Sequence, residues 1–358
     1  MRVSQLQIRD FRNLKHVDLS PCEGVNLITG ANASGKTSLL EAIYYLSHLR
    51  SFRTPHLADL IHHDSNKLQL FARVINNSHE IPIGIRRGCE SLEVRADQRP
   101  VRRVADITAM LPVLAIHPDS YRLLTGSPSQ RRQFIDWGVF HVEHGFFDAW
   151  QRYKRALSQR NAALKSKQKA DYCTIWDQQI DEAAAHIDRL RSAYLSSLQP
   201  LMQNLIGCFF PQHTVTIEYK RGWKTGISLS DALTACFERD RRYGFTSVGP
   251  HRADLIIQVN GKSAQTAISR GQQKLMVALL RLSQAQSFVQ SGDRRCLLLY
   301  DDLAAELDIE NRHKVLSVLE QMPIQLFLTA IEPGQIDIRT SRTQRMFHVE
   351  HGRLYQRD

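Results

Sequence analysis

At 358 residues the chain exceeds the ~250 to 300 at which a single hydrophobic core stops growing, so one composite domain or two are expected. With 42% hydrophobic and 23% charged residues it is a globular rather than a disordered chain, and a formal charge of +11 points to polyanionic partners, nucleic acid or anionic lipid. No stretch approaches the roughly 18 to 20 apolar residues of a membrane span, and Met1-Arg2-Val3-Ser4-Gln5 lacks a signal-peptide core, so a cytoplasmic protein with no membrane partner is expected.

In chain order, the first thirty residues alternate apolar runs with turns, and Val25-Asn26-Leu27-Ile28 reads as a buried strand. It feeds Gly30-Ala31-Asn32-Ala33-Ser34-Gly35-Lys36-Thr37, a full phosphate-loop pattern, after which Leu39, Leu40, Ile43 and Leu46 recur at helical spacing. The glycines let the backbone aim N–H groups at phosphates, and Lys36 reaches the β and γ phosphates. Thr37 offers its hydroxyl to Mg²⁺, with Ser38 beside it at the positive end of the helix. ATP and Mg²⁺ are the expected cofactors, held by Gly30 to Ser38.

Between 68 and 118, Ile81-Pro82-Ile83-Gly84-Ile85 and the strand-like Leu111 to Ile116 predict a small mixed sheet, with little helical signal. Long helical sequence follows: Gln130 to Trp150, Gln151 to Lys169 and Tyr172 to Leu205. Strands return with Val215, Ile217 and Tyr219, and with Leu255 to Val259 closed by the hairpin dipeptide Asn260-Gly261. After Ser269 come an amphipathic helix (Leu275, Met276, Leu279, Leu282), the strand Cys296 to Tyr300, another helix and a strand from Ile324 to Leu328. This alternation marks a parallel α/β core. The expected fold is a phosphate-loop α/β head, 1–117 and 244–358, with a mostly helical second domain inserted at 118–243.

The six cysteines lie far apart, consistent with reduced thiols. Phe-His-Val-Glu-His-Gly occurs twice, at 140–145 and 347–352. A strand at the second copy would point His348 and His351 to opposite faces, which favours coincidence over a metal site.

A phosphate loop needs a carboxylate on a neighbouring strand, and Leu299-Tyr300-Asp301-Asp302 supplies one. Asp301 is the Mg²⁺ candidate and Asp302 the catalytic base, with Lys36 as its catalytic partner; two aspartates capping the next helix are the plain alternative. Before that strand, Ser269-Arg270-Gly271-Gln272-Gln273-Lys274 resembles the signature motif of ABC-type ATPases. Ser269, Gly271 and Gln272 bring a hydroxyl, a glycine N–H and a helix N-terminus together, although alone a helix cap would explain them. Ala305-Glu306-Leu307-Asp308 resembles the loop that faces a partner subunit, and Thr329 stands where many ABC proteins carry a switch histidine.

A long helical insert without heptads resembles an SMC-like head with a truncated arm, and Arg9-Asp10-Phe11-Arg12-Asn13-Leu14 resembles the start of such heads, with Arg12 bordering the nucleotide. Pro118-Asp119, Gly126-Ser127-Pro128-Ser129-Gln130-Arg131-Arg132-Gln133-Phe134-Ile135-Asp136 and Leu299 to Asp308 resemble diagnostic segments of the RecF family. Arg50-Ser51-Phe52-Arg53-Thr54 and Gly249-Pro250-His251-Arg252-Ala253-Asp254-Leu255 also fit.

The resemblance implies an ATP-dependent DNA-binding protein of recombinational repair and replication restart, with slow DNA-dependent hydrolysis. It implies an ATP-dependent homodimer on double- and single-stranded DNA, with RecR and RecO as partners in loading RecA at single-strand gaps. Each phosphate loop would be completed by Ser269, Gly271 and Gln272 of the second copy. The alternative is the nucleotide-binding subunit of an ABC transporter, against which the insert and the basic charge argue.

Two basic regions are candidates for DNA. Arg152, Lys154, Arg155, Arg160, Lys165, Lys167 and Lys169 fall in a stretch without acids, which a solvated helix would also explain. Arg86, Arg87, Arg95, Arg99, Arg102 and Arg103 form the second.

Overall fold

In the computed structural model, which describes residues 1–76, 79–166, 170–292, 294–337 and 342–357, the chain divides into two compact units. The first comprises Met1–Ser120 with Lys274–Asp358, and the second Tyr121–Gln273. Alternation in β1 (Arg2–Phe11) and β2 (Leu14–Leu19) buries Leu6, Ile8, Val17 and Leu19 on one face. Every residue of β3 (Val25–Thr29) is buried, as an interior strand of a parallel sheet requires. The phosphate-loop segment then opens α1 (Lys36–His48), whose Leu39, Leu40, Ile43 and Leu46 face the core.

The region expected as a small mixed sheet is two structures. β4 (Lys67–Asn76), β5 (His79–Gly88), β6 (Leu92–Ala96) and β7 (Arg99–Pro100) join β1 and β2 in a wholly antiparallel sheet, ordered β2-β1-β4-β5-β6-β7. A helix, α2 (Val104–Met110), follows where little helical signal was read. β8 (Val113–Ile116) leaves that sheet altogether and pairs in parallel with a strand from the far end of the chain.

In the second unit the short α3 (Arg122–Thr125) precedes α4 (Pro128–Val142), α5 (Phe146–Lys165) and α6 (Ala170–Phe209). The helix expected over Gln130 to Trp150 is broken at Gly145, which sits at φ 87 between α4 and α5, a conformation glycine adopts without a Cβ penalty. β9 (Val215–Lys220), α7 (Leu229–Ala235) and α8 (Phe237–Tyr243) follow. β10 (Asp254–Val259) then pairs with β9 and turns through Asn260 and Gly261, both at positive φ, into β11 (Lys262–Ser263). Residues 244–273, expected in the head, therefore belong with the second unit. Strand pairing to β9 holds them there, as does the Arg131–Asp254 ion pair at 2.6 Å.

The short α9 (Ala264–Ala267) leads to α10 (Arg270–Gln290), which begins in the second unit and continues into the first. β12 (Leu297–Tyr300), α11 (Leu303–Glu306), α12 (Ile309–Glu320), β13 (Gln325–Ala330), β14 (Gln344–Glu350) and β15 (Arg353–Arg357) complete the first unit. Its second sheet runs β15-β14-β3-β13-β12-β8, parallel except at β15. Among the described residues no helix is long and apolar enough to cross a membrane.

The second unit is organised around two fully buried arginines. Arg160, read from sequence as a DNA-facing charge, instead donates to Asp177 of α6 at 2.7 Å and Asp240 of α8 at 3.0 Å. The Nε and Nη1 donors of this buried guanidinium tie three helices together, while Nη2 is buried with no partner among the described residues. Arg191 likewise bonds Asp136 and the Pro250 carbonyl. Arg152, Lys154, Arg155 and Lys165 are exposed, whereas Lys167 and Lys169 lie outside the described residues.

His251 accepts from the Tyr153 hydroxyl at 2.6 Å and donates to the Thr246 carbonyl at 3.0 Å. Burial pushes its pKa down to about 4. The unfolded imidazole, near 6.5, binds the proton first, so the native state loses stability as pH falls from about 6.5 towards 4, by up to about 3 kcal/mol. All four tryptophans (Trp137, Trp150, Trp176, Trp223) lie in this unit, so their fluorescence reports it selectively. Urea midpoints read that way should fall with acidification in the parent, and much less in His251→Gln.

Candidate functional site

Two glycines shape the loop between β3 and α1. Gly30 has φ 148, and a Cβ there would lie 2.3 Å from the Val349 carbonyl oxygen. Gly35 has φ 122, and its Cβ would meet Leu14 Cδ2 at 2.8 Å. The hairpin between β14 and β15 braces the loop, its turn made by His351 and Gly352 at positive φ, with the Gly352 N–H donating to the Ser34 carbonyl at 3.0 Å. The second copy of the repeated hexapeptide thus ends in a hairpin turn, while the first ends a helix.

Lys36, 5% exposed, folds its ammonium over the loop and donates to the carbonyls of Gly30 and Ala31 at 2.8 and 2.9 Å. Burial lowers its pKa against the opposing pull of Asp302 and Asp301. Ala31, Asn32 and Ala33 are exposed, while Ser34 Oγ is buried with no partner among the described residues. An orphaned hydroxyl, an ammonium resting on carbonyls and a helix N-terminus suit an incoming polyphosphate. Ser38 turns inward and donates to Asn13 Oδ1 at 2.8 Å, and Asn13 in turn donates to the Ala33 carbonyl.

The acidic strand ends beside this loop. Asp301, 2% exposed, accepts the hydroxyl of Thr37 at 2.9 Å and that of Thr329 at 2.8 Å. Thr329 also accepts the Asp302 N–H at 2.7 Å, holding Asp302 in a left-handed conformation, φ 54. The residue at the switch-histidine position therefore orients both aspartates through one hydroxyl. Burial raises the Asp301 pKa, opposed by the Thr329 and Thr37 hydrogen bonds. Thr37 and Asp301 make an all-oxygen donor set that fits a hard divalent cation.

Arg12 is more constrained than its motif suggests. Its guanidinium grips both carboxylate oxygens of Glu41, with Nη2 to Oε1 at 2.7 Å, and reaches the Asp59 carbonyl at 3.2 Å. Glu41 is fully buried on α1 and also receives Ser51 and, at 3.5 Å, Arg53. Sequence reading missed Glu41, and it gave Asn13 and Arg53 no role beyond their place in family-like segments. The one available signal was an acid at position 41 inside the apolar run Leu39, Leu40, Ala42, Ile43, since a carboxylate in a buried run requires a cation.

Ser269, Gly271 and Gln272 belong to the second unit, at the start of α10. They form a capping box, with the Ser269 N–H donating to Gln272 Oε1 at 2.9 Å and the Gln272 N–H to Ser269 Oγ at 3.3 Å. Ser269 and Gly271 are exposed, and a Cβ on Gly271 would meet nothing within 4 Å. In the first unit, Glu306 accepts an ion pair from Lys274 at 2.6 Å, and Asp308 caps α12 through the Asn311 N–H. Arg86, Arg95, Arg99, Arg102 and Arg103 are exposed and Arg87 half-buried; Arg86 lies 3.6 Å from Glu93, and Arg103 pairs with Asp106.

Residues 2–354 match the family model described as the RecF/RecN/SMC N-terminal domain. The chain is 39% identical to the DNA replication and repair protein RecF of Vibrio atlanticus over 358 residues, covering 99% of this chain and 100% of the relative. It is 40% identical to the RecF of Shewanella frigidimarina, over 98% of both chains. Among solved structures, that of the recombination mediator protein RecF with ATP in the RecFOR pathway superposes with a TM-score of 0.89 at 27% identity, covering 99% of this chain and 97% of that one.

Proposed function

This chain belongs to the RecF/RecN/SMC N-terminal domain family and, within it, to the RecF proteins, and from that premise we propose that it is an ATP-dependent DNA-binding protein of recombinational repair and replication restart. The observation that carries the reading is the bonded series Thr37–Asp301–Thr329–Asp302 closing on a fully formed phosphate loop. A transporter subunit is disfavoured, because the resemblance to RecF runs through the inserted second unit as well as the head.

In this reading the loop N–H groups and Lys36 hold the ATP phosphates, Ser34 offers its unpartnered hydroxyl, and Arg12, fixed by Glu41, stands as the bordering cation. Thr37 and Asp301 would hold Mg²⁺, whose charge offsets that of the phosphates. Asp302 orients and deprotonates the attacking water, and its short side chain makes turnover slow. Two copies pair head to tail, each supplying Ser269, Gly271 and Gln272 to the other's ATP, so that binding closes the dimer on DNA and hydrolysis releases it. RecR and RecO are the expected partners and loading of RecA at single-strand gaps the expected outcome. The cell compartment is the cytoplasm.

Retention on duplex DNA, measured with ATP, with ADP and without nucleotide over a salt series, tests this. ATP should be required, and binding should fall steeply with salt. Asp302→Asn should keep ATP-dependent retention but turn over ATP at least about a hundredfold more slowly, the lower range for a lost general base. A flat salt response would sink the DNA reading, and parental turnover would remove Asp302 from its role.

A further inference from the structure

The antiparallel sheet buries one face and leaves the other open, and the pairing register fixes what stands on the open side. One row across β1, β4, β5 and β6 reads Gln7, Phe71, Gly84, Arg95. The next row on the same face reads Arg9, Gln69, Arg86, Glu93. Side chains of both rows border a groove of about 430 Å³ whose floor is Gly84. Phe71 is only half-buried beside it.

Gly84 has no structural requirement to be glycine. Its φ is not left-handed, and an added Cβ would meet nothing within 4 Å. Glycine inside a strand weakens it, and one recognised use is to let a ligand approach the backbone. What it gives here is an opening beside an aromatic ring, in a row where every other position carries a side chain.

The charge around that opening is positive. Arg73 pairs with Glu80, and Arg86 lies 3.6 Å from Glu93. Arg9 and Arg95 are exposed and have no carboxylate partner among the described residues. The Gln7 amide nitrogen donates to Asp18 at 3.0 Å, which orients this side chain at the groove edge. An aromatic face on an open sheet, flanked by cations, is the arrangement that stacks an unpaired base while holding its phosphates.

We propose that this groove binds one unpaired nucleotide of a single-stranded nucleic acid, its base stacked on Phe71 over Gly84 and its flanking phosphates held by Arg9 and Arg95. The inference rests on the DNA-binding reading above and adds to it a second, base-dependent contact on the first unit alone. Stacking tolerates any base, so the groove recognises that a strand is unpaired without reading its sequence. A duplex presents phosphates but no free base face, and it gains nothing from Phe71.

The test compares an oligothymidylate, an abasic strand of the same length and a duplex by fluorescence anisotropy. The parent should prefer oligothymidylate to the abasic strand by about tenfold, the effect of losing one stacked base. Phe71→Ala should erase that preference, as should Gly84→Leu, which fills the groove, while Phe71→Tyr keeps it. Both disruptive variants should retain the duplex with ATP as the parent does, which also shows that they are folded. Equal parental affinity for thymidylate and abasic strands overturns the proposal. So does an unchanged preference in Phe71→Ala and Gly84→Leu, or a proportional loss of duplex binding, which would make the face a general phosphate surface. A parent that holds duplex but no single strand defeats the groove alone, whereas one that binds neither defeats the DNA reading with it.

Discussion

Lys36→Met is expected to weaken ATP binding by about a hundredfold or more, because a charge-assisted hydrogen bond contributes about 1.5–3 kcal/mol and the lysine carries more than one. The substitution isolates that loss. Lys36 is 5% exposed, and methionine keeps an unbranched stem of similar length in the same buried position while removing every donor. The carbonyls of Gly30 and Ala31 lose their ammonium partner; Ala31 is exposed and water can replace it there, so only the buried Gly30 carbonyl is left unmet, at a cost of about 1–3 kcal/mol. The melting temperature should therefore move by only a few degrees. Titration calorimetry with ATP reads the main effect, and ATP-dependent retention on DNA should vanish with it. Lys36→Arg should rescue poorly despite its charge, since a bulkier planar fork does not reproduce the two carbonyl contacts of a compact ammonium at so buried a position. ATP affinity within twofold of the parent's would falsify the assignment of Lys36 to the phosphates.

The parts legible in the sequence were those whose chemistry is contiguous. The phosphate loop must turn within eight residues and open a helix, and the acidic strand must be apolar up to its last residue, so both announce themselves locally. Glu41 and Arg12 are 29 positions apart, and their pairing depends on β1 delivering Arg12 to α1. Nothing local signals it. Arg160 reads as one more surface charge because its partners, Asp177 and Asp240, lie 17 and 80 positions away.

The repeated hexapeptide makes the same point most directly. Phe140 to Gly145 closes α4 and leads into α5, whereas Phe347 to Gly352 runs along β14 into a hairpin turn. Identical residues take helix in one place and strand in the other, decided by what each packs against. Glycine alone behaves alike in both, at φ 87 and φ 73. The end of the inserted unit was misplaced for a related reason. A strand such as β10 belongs to whichever sheet pairs with it, and pairing with β9 rather than with the parallel sheet is a long-range fact.

Ser269→Arg should abolish ATP-dependent dimers while leaving ATP affinity at the parental level, a split that separates a shared site from one complete within a single chain. The substitution leaves the monomer intact. Ser269 is the exposed cap of α10, and loss of an N-cap costs about 1 kcal/mol, too little to unfold a helix that buries Leu275, Met276, Leu279 and Leu282. An exposed arginine strains nothing in the monomer. At a closed dimer interface the same side chain would occupy the space where a hydroxyl and the adjacent Gly271 backbone approach the partner's nucleotide. Its bulk then blocks closure even though its charge would be attracted. Ser269→Thr keeps both the cap and the hydroxyl and should dimerise. Sedimentation velocity with ATP, ADP and no nucleotide distinguishes the outcomes: parental dimerisation of Ser269→Arg would mean that the capping box is only a cap. Loss of dimers together with loss of ATP binding would place the defect in the fold instead of the interface.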